Sequence, residues 1–163
     1  MKIKFLTYTM LLVTVIGIVS CSKSSTMPVD NTIKFQVTLN GANETPANAS
    51  AASGTASFTY NPDTYILSGT VTFSGITPTG AHIHKGAVGV PGGVIFPLTI
   101  TASPLIFTSS PLDATQRADL MANSYYVNLH STAFPDGEIR GQLVYPASSS
   151  SNTGGTTGGG SGY

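Results

Sequence analysis

Every second residue from Ile33 to Leu39 is apolar: Ile33, Phe35, Val37 and Leu39 alternate with Lys34, Gln36 and Thr38. Successive side chains of a strand point to opposite faces, so this pattern specifies a strand with one buried face, ending at Asn40-Gly41. The same period returns in Ala56, Phe58 and Tyr60, and then in Tyr65, Leu67, Val71 and Phe73 beyond the turn residues Asn61-Pro62-Asp63. That reads as a hairpin. Further short strands are expected near Ala81 to Lys85, Val94 to Ile100, Tyr125 to Ser131 and Glu138 to Tyr145, each bounded by Gly, Pro, Asn or Ser. Many short antiparallel strands with such turns make a mainly β fold, a sandwich or a barrel. One segment departs from the period. Asp113 as N-cap with Gln116 three residues on predicts a short helix over residues 114–122, with Leu120 and Met121 turned toward the sheet.

Only residues 32–145 are expected to fold. Residues 1–21 read as a secretory signal, with Lys2 and Lys4 ahead of an apolar run that ends Ile18-Val19-Ser20-Cys21. The run is shorter than the roughly 20 residues of a spanning helix, and its end resembles a bacterial lipobox. Cys21 is then the lipid-bearing first residue of the mature chain. The expected location is the cell envelope, on a membrane, with the outer membrane favoured. Residues 22–31 form a tether, and residues 146–163, almost all Ser, Gly and Thr, form a tail unable to bury apolar surface. Cys21 is the only cysteine, so no intramolecular disulfide can form. Without the signal, five basic residues stand against seven acidic ones, a formal charge of −2. That balance gives no basic stripe for nucleic acid.

The chain has three histidines, and their parity is informative. Ile83 takes the core face of its strand, which sends His82 and His84 to the other. Val127 and Leu129 likewise leave Asn128 and His130 outside, so all three imidazoles are expected to avoid the core. If Leu129 pairs with Ile139 across a hairpin turning at Pro135-Asp136-Gly137, then His130 lies opposite Glu138 and Asn128 opposite Arg140. Glu138 can then accept the second ring N–H of His130, a common support for a metal-bound imidazole. Three imidazoles suit copper or zinc, and no second thiol competes. Met121 is a conceivable thioether ligand. Such a trio requires ring nitrogens within about 4.5 Å of one another. In the competing reading the same rings hydrogen-bond loop carbonyls and pin the glycine-rich connection after Lys85. That connection, residues 86–93, lacks a following Lys-Ser/Thr pair and is no phosphate loop. Asn43-Glu44-Thr45-Pro46 reads as a plain turn unless Glu44 faces the histidines.

Five ordered blocks carry a resemblance: Leu39-Asn40-Gly41-Ala42-Asn43-Glu44-Thr45-Pro46, Gly54-Thr55-Ala56, Ala81-His82-Ile83-His84, Tyr126-Val127-Asn128-Leu129-His130-Ser131, and Pro135-Asp136-Gly137-Glu138-Ile139-Arg140-Gly141-Gln142-Leu143. Together they resemble the CHRD domain, the repeat found in chordin and in bacterial secreted proteins. The resemblance implies an immunoglobulin-like β-sandwich distantly similar to copper/zinc superoxide dismutases, where an HxH strand and a later strand histidine ligate copper. His82, His84 and His130 resemble that order. Residues 85–129 hold no histidine, so the bridging imidazole and the zinc ligands have no counterparts. The expectation is therefore binding without catalysis, with Arg140 near the site as an anion-attracting charge and no catalytic residue assigned. The alternatives are a structural or adhesive module for an envelope or extracellular protein or glycan partner and, more weakly, a dismutase-like oxidoreductase.

Overall fold

The computed structural model describes residues 30–146. Cys21, the signal segment, most of the tether and the tail beyond residue 146 lie outside the described residues. No helix among the described residues is long and apolar enough to cross a membrane.

Eight antiparallel strands and one α-helix make the domain. In chain order they are β1 (Ile33–Asn40), β2 (Ser53–Asn61), β3 (Ile66–Ser74), β4 (Gly80–Lys85), β5 (Val94–Pro97), β6 (Leu105–Thr108), α1 (Ala114–Met121), β7 (Tyr125–His130) and β8 (Ile139–Leu143). They form one curled sheet in the order β5-β4-β7-β8-β1-β2-β3-β6. The register between β8 and β1 consists of the single pair Asn40↔Arg140, whereas β1 pairs β2 over eight residues. The sheet therefore divides there into two halves that face each other like a sandwich. At its far edges, Phe96 of β5 and Phe107 of β6 meet with ring centroids 5.6 Å apart.

Alternation decides what lies between the halves. Phe35, Leu39, Phe58, Leu67, Val71, Ile83, Val127, Leu129, Ile139 and Leu143 are all fully buried. Helix α1 adds Leu120, also fully buried, and packs Met121 against the same core. Its capping box forms as expected: Asp113 accepts from the Gln116 N–H at 2.8 Å while the Gln116 side chain accepts from the Asp113 N–H at 3.0 Å. Asn61 closes the β2–β3 turn by accepting from the N–H groups of Asp63 and Thr64. The hairpin pairing Leu129↔Ile139 and Asn128↔Arg140 is present.

Two strand expectations need correction. The run from Val94 ends as a strand at Pro97, although the Leu98 N–H still meets the carbonyl of Ala81 on the neighbouring β4, and residues 98–100 add no further strand. Strand β6 had no expectation at all. Its four residues read as ambiguous alone, and β3, more than thirty residues away, supplies their pairing.

Replacing Phe58, whose ring meets Phe107 edge-on at 6.2 Å, with Ala is predicted to cost about 3–5 kcal/mol. Ile106→Ala, at a position 73 % exposed, is predicted to cost under about 0.5 kcal/mol. Urea unfolding of both variants checks this, and similar losses would contradict the assigned core.

Candidate metal centre

The outer face of β4, β7 and β8 carries His82 and His84, then Tyr126, Asn128 and His130, then Arg140 and Gln142, in register. Parity placed the histidines on this face correctly, since Ile83 between the first two is fully buried. The face is not open, however. His84 is only 7 % exposed, Asn128 3 %, Arg140 2 % and Glu138 6 %, because connections fold over it from two flanks.

The glycine-rich connection after β4 is the closest cover. The Gly92 carbonyl accepts from His84 Nδ1 at 2.9 Å, and the Gly92 N–H donates to the Tyr126 hydroxyl at 3.0 Å. Gly92 lies so near the Lys85 carbonyl that a Cβ there would collide with it. Arg140 Nη2 donates to the carbonyls of Ala87 at 3.0 Å and Val90 at 3.1 Å, and Gln142 donates to that of Gly86 at 2.9 Å. On the other flank, the β7–β8 turn brings the Pro135 carbonyl to His130 Nδ1 at 2.9 Å.

These two carbonyls set the tautomers. A carbonyl only accepts, so His84 and His130 carry their proton on Nδ1, and each neutral ring keeps a lone pair on Nε2. Those two Nε2 atoms, with His82 Nδ1, are buried and have no hydrogen-bond partner. The three rings stand at centroid separations of 5.1, 5.5 and 5.8 Å. Each offers one nitrogen such that all three lie within 4.8 Å of one another. That bound is slightly wider than a shared ion about 2.0–2.1 Å from each nitrogen allows, so binding would draw the rings closer by a few tenths of an ångström. No carbonyl ties the His82 ring among the described residues, in contrast to His84 and His130. Gly80 makes the room: a Cβ there would sit 3.2 Å from His82 Cε1 and 3.6 Å from His130 Cδ2. The three neutral imidazoles could therefore hold a transition-metal ion. Two of the rings are pinned by carbonyls as the competing reading expects, and the opposite nitrogens of those same rings stay available as ligands.

Burial first, and then the neighbouring His130 and His84, hold the His82 pKa below the usual imidazole value. Burial also lowers that of His84, against the raising effect of its Gly92 bond, with His130 and Arg140 adding to the depression. Both rings favour the neutral, ligating form.

The expected supporting residues play different parts. Glu138 does not meet His130; its Oε1 accepts from Ser50 at 2.7 Å. On the β4 side His130 pairs with Gly80; on the β8 side the register ends one residue earlier, at Leu129↔Ile139, where the Glu138 N–H still meets the Leu129 carbonyl. Asn128 donates toward Glu44 at 3.5 Å, and Arg140 lies 3.4 Å over the Tyr126 ring. None of the three hydrogen-bonds an imidazole among the described residues. Met121 packs on the core rather than joining the trio. Tyr126 was missed although its parity with Asn128 and His130 places it on this face. Glu44 is no plain turn residue: it is 9 % exposed and lies beside Asn128 rather than the imidazoles. Its pKa is pushed up to about 7 by burial, opposed by Arg140. Glu44 Oε1 and Asn128 Oδ1 are both buried without partners and both crowd Gly137. A proton on Glu44 is the donor that such a pair lacks.

The model of the CHRD domain matches residues 35–143. No curated protein and no solved structure matches the chain.

Glu44 gives a pH prediction. Its folded pKa of about 7 lies above the ordinary 4.5, so its stabilising contribution is complete below pH 4.5 and lost as pH rises through about 7. Glu44→Gln is predicted to remove that loss and to be more stable than the parent at pH 8 by about 1–3 kcal/mol. Urea midpoints at pH 5 and 8 test this; an identical pH response in both proteins would refute it.

Proposed function

We propose that this chain, which belongs to the CHRD-domain family, is an envelope-anchored protein that holds a transition-metal ion through His82, His84 and His130 without turning over a substrate. Copper and zinc are the candidates, because imidazole suits both. The observation that carries the reading is the set of three buried, unpartnered ring nitrogens on converging rings. Burying a polar nitrogen with nothing to meet it is unfavourable, so three such nitrogens around one point call for an occupant. Holding is preferred to turnover because backbone carbonyls lock two of the rings and the donor atoms face away from water. Lipidation at Cys21 supplies the anchor in this reading, and the outer membrane is the favoured location.

A second reading rests on the opposite half-sheet. There Thr38, Thr55 and Thr72 stand in one cross-strand row, and Gln36, Ser57 and Thr70 in the next. Thr55 and Thr72 hydroxyls are 2.7 Å apart. These hydroxyl-rich rows, with Lys34 in the row beyond them, are the surface that an adhesive module would offer to an envelope or extracellular protein or glycan. The third reading, dismutase-like oxidation and reduction of superoxide, is tested by assaying the metal-loaded protein for that activity.

Titration of the purified full chain with Cu(I), Cu(II) and Zn(II) is predicted to show one ion bound with a micromolar or tighter Kd. His82→Ala and His130→Ala are each predicted to weaken it at least about 100-fold. Affinity is predicted to hold from pH 8 to about 6.5 and fall below as the imidazoles protonate. Unchanged binding in both variants would place the ion elsewhere.

For the anchor, Cys21→Ala is predicted to move the protein from the membrane fraction to the soluble one. Equal membrane retention of both forms would remove lipidation from the reading.

A further inference from the structure

The imidazole trio has an unusual electrostatic setting. Resting on the reading that these rings hold an ion, the donor set is three neutral nitrogens: the His82, His84 and His130 group includes no carboxylate and no thiolate among the described residues. Behind His84, the Tyr126 ring lies parallel, 8° off, at a centroid separation of 4.9 Å. The Arg140 guanidinium covers the same phenol ring at 3.4 Å. Imidazole, phenol and guanidinium thus form one packed series in which the last member carries a permanent charge.

That charge cannot swing away. Arg140 is 98 % buried, and Nη2 is tied to the carbonyls of Ala87 and Val90. Tyr126 is 97 % buried and its hydroxyl is held by the Gly92 N–H. Glu44, an acidic group whose charge acts on Arg140, has its own pKa raised to about 7 by burial. It therefore offsets Arg140 only in part.

A fixed positive charge repels a divalent ion twice as strongly as a monovalent one at the same point, and the effect is largest where water is excluded. A divalent ion bound by neutral nitrogens alone also keeps its full charge in the buried site, which is costly. A d10 monovalent ion accepts three neutral nitrogen donors with no further ligand. We propose that the trio selects copper in its monovalent state, and that Arg140, acting through Tyr126, is the positioning residue that sets this preference.

The experiment uses the full chain purified in detergent at pH 8. Cu(I) affinity is measured by competition with a bathocuproine chelator under dithionite, Cu(II) and Zn(II) affinities by competition without reductant. The midpoint potential of the bound copper is read by mediated titration, one electron passing from Cu(I) to ferricyanide. Expected is Cu(I) bound at least 100-fold tighter than Cu(II) or Zn(II). In Arg140→Gln the Cu(I)-to-Cu(II) affinity ratio is expected to fall about tenfold, a drop of about 59 mV, while Arg140→Lys keeps the parent ratio. Glu44→Gln, which removes the counter-charge and leaves the clamp on the loop intact, is expected to shift the ratio in the opposite direction. It supplies the charge test should Arg140→Gln fail to fold. Equal or tighter binding of Cu(II) or Zn(II) overturns this inference and leaves the metal reading standing. Stoichiometric Cu(I) binding whose ratio ignores the Arg140 and Glu44 variants overturns the role of Arg140. Failure of every ion to bind overturns the metal reading itself.

Discussion

Two backbone carbonyls, those of Gly92 and Pro135, govern what this face of the sheet can do. By accepting from Nδ1 of His84 and His130, they protonate one side of each ring and leave the other side a bare lone pair. Without those bonds the rings would have no fixed tautomer and no fixed rotation. With them, the two connections that close the face also prepare its chemistry, and the trio's geometry becomes a property of loop packing as much as of the strands.

Loop packing in turn depends on residues that bury polarity successfully. Arg140 and Gln142 reach across from β8 to hold the carbonyls of residues 86, 87 and 90. Asn48 holds those of Gly137 and Glu138 from the opposite side. Buried donors without partners would each cost about 1–3 kcal/mol, so the clamps are built from side chains that find acceptors. The acceptors left over, on the imidazoles and at Glu44 and Asn128, stand out against that background.

How far this was legible in the sequence follows from range. Strand period, the Asp113 capping box and the Leu129↔Ile139 register are local signals, and each appears as expected. The separation of Ile83 from His82 and His84 needs only parity. The covering of the histidine face does not show in alternation: Gly92 and Pro135 lie only 8 and 5 residues from the rings they meet, but the clamps that hold the first of these loops in place reach over 50 residues or more. Glu138 was the natural acceptor for His130 by strand pairing alone. Its carboxylate turns instead to Ser50, 88 residues back in the chain. Glu44 reaches Asn128 over 84 residues, and nothing near it in sequence announces a buried carboxyl. The signal and Cys21 lie outside the described residues and stay sequence-based.

The joint between the two half-sheets deserves a mechanical reading. Its one paired position is Asn40↔Arg140, where Asn43 also donates to the Arg140 carbonyl, and the Arg140 side chain is the cation resting on Tyr126. One residue thus serves the seam with its backbone and the covering loop with its side chain, so a substitution at 140 that shifts the backbone would disturb the junction of the layers and the cover over the imidazoles together.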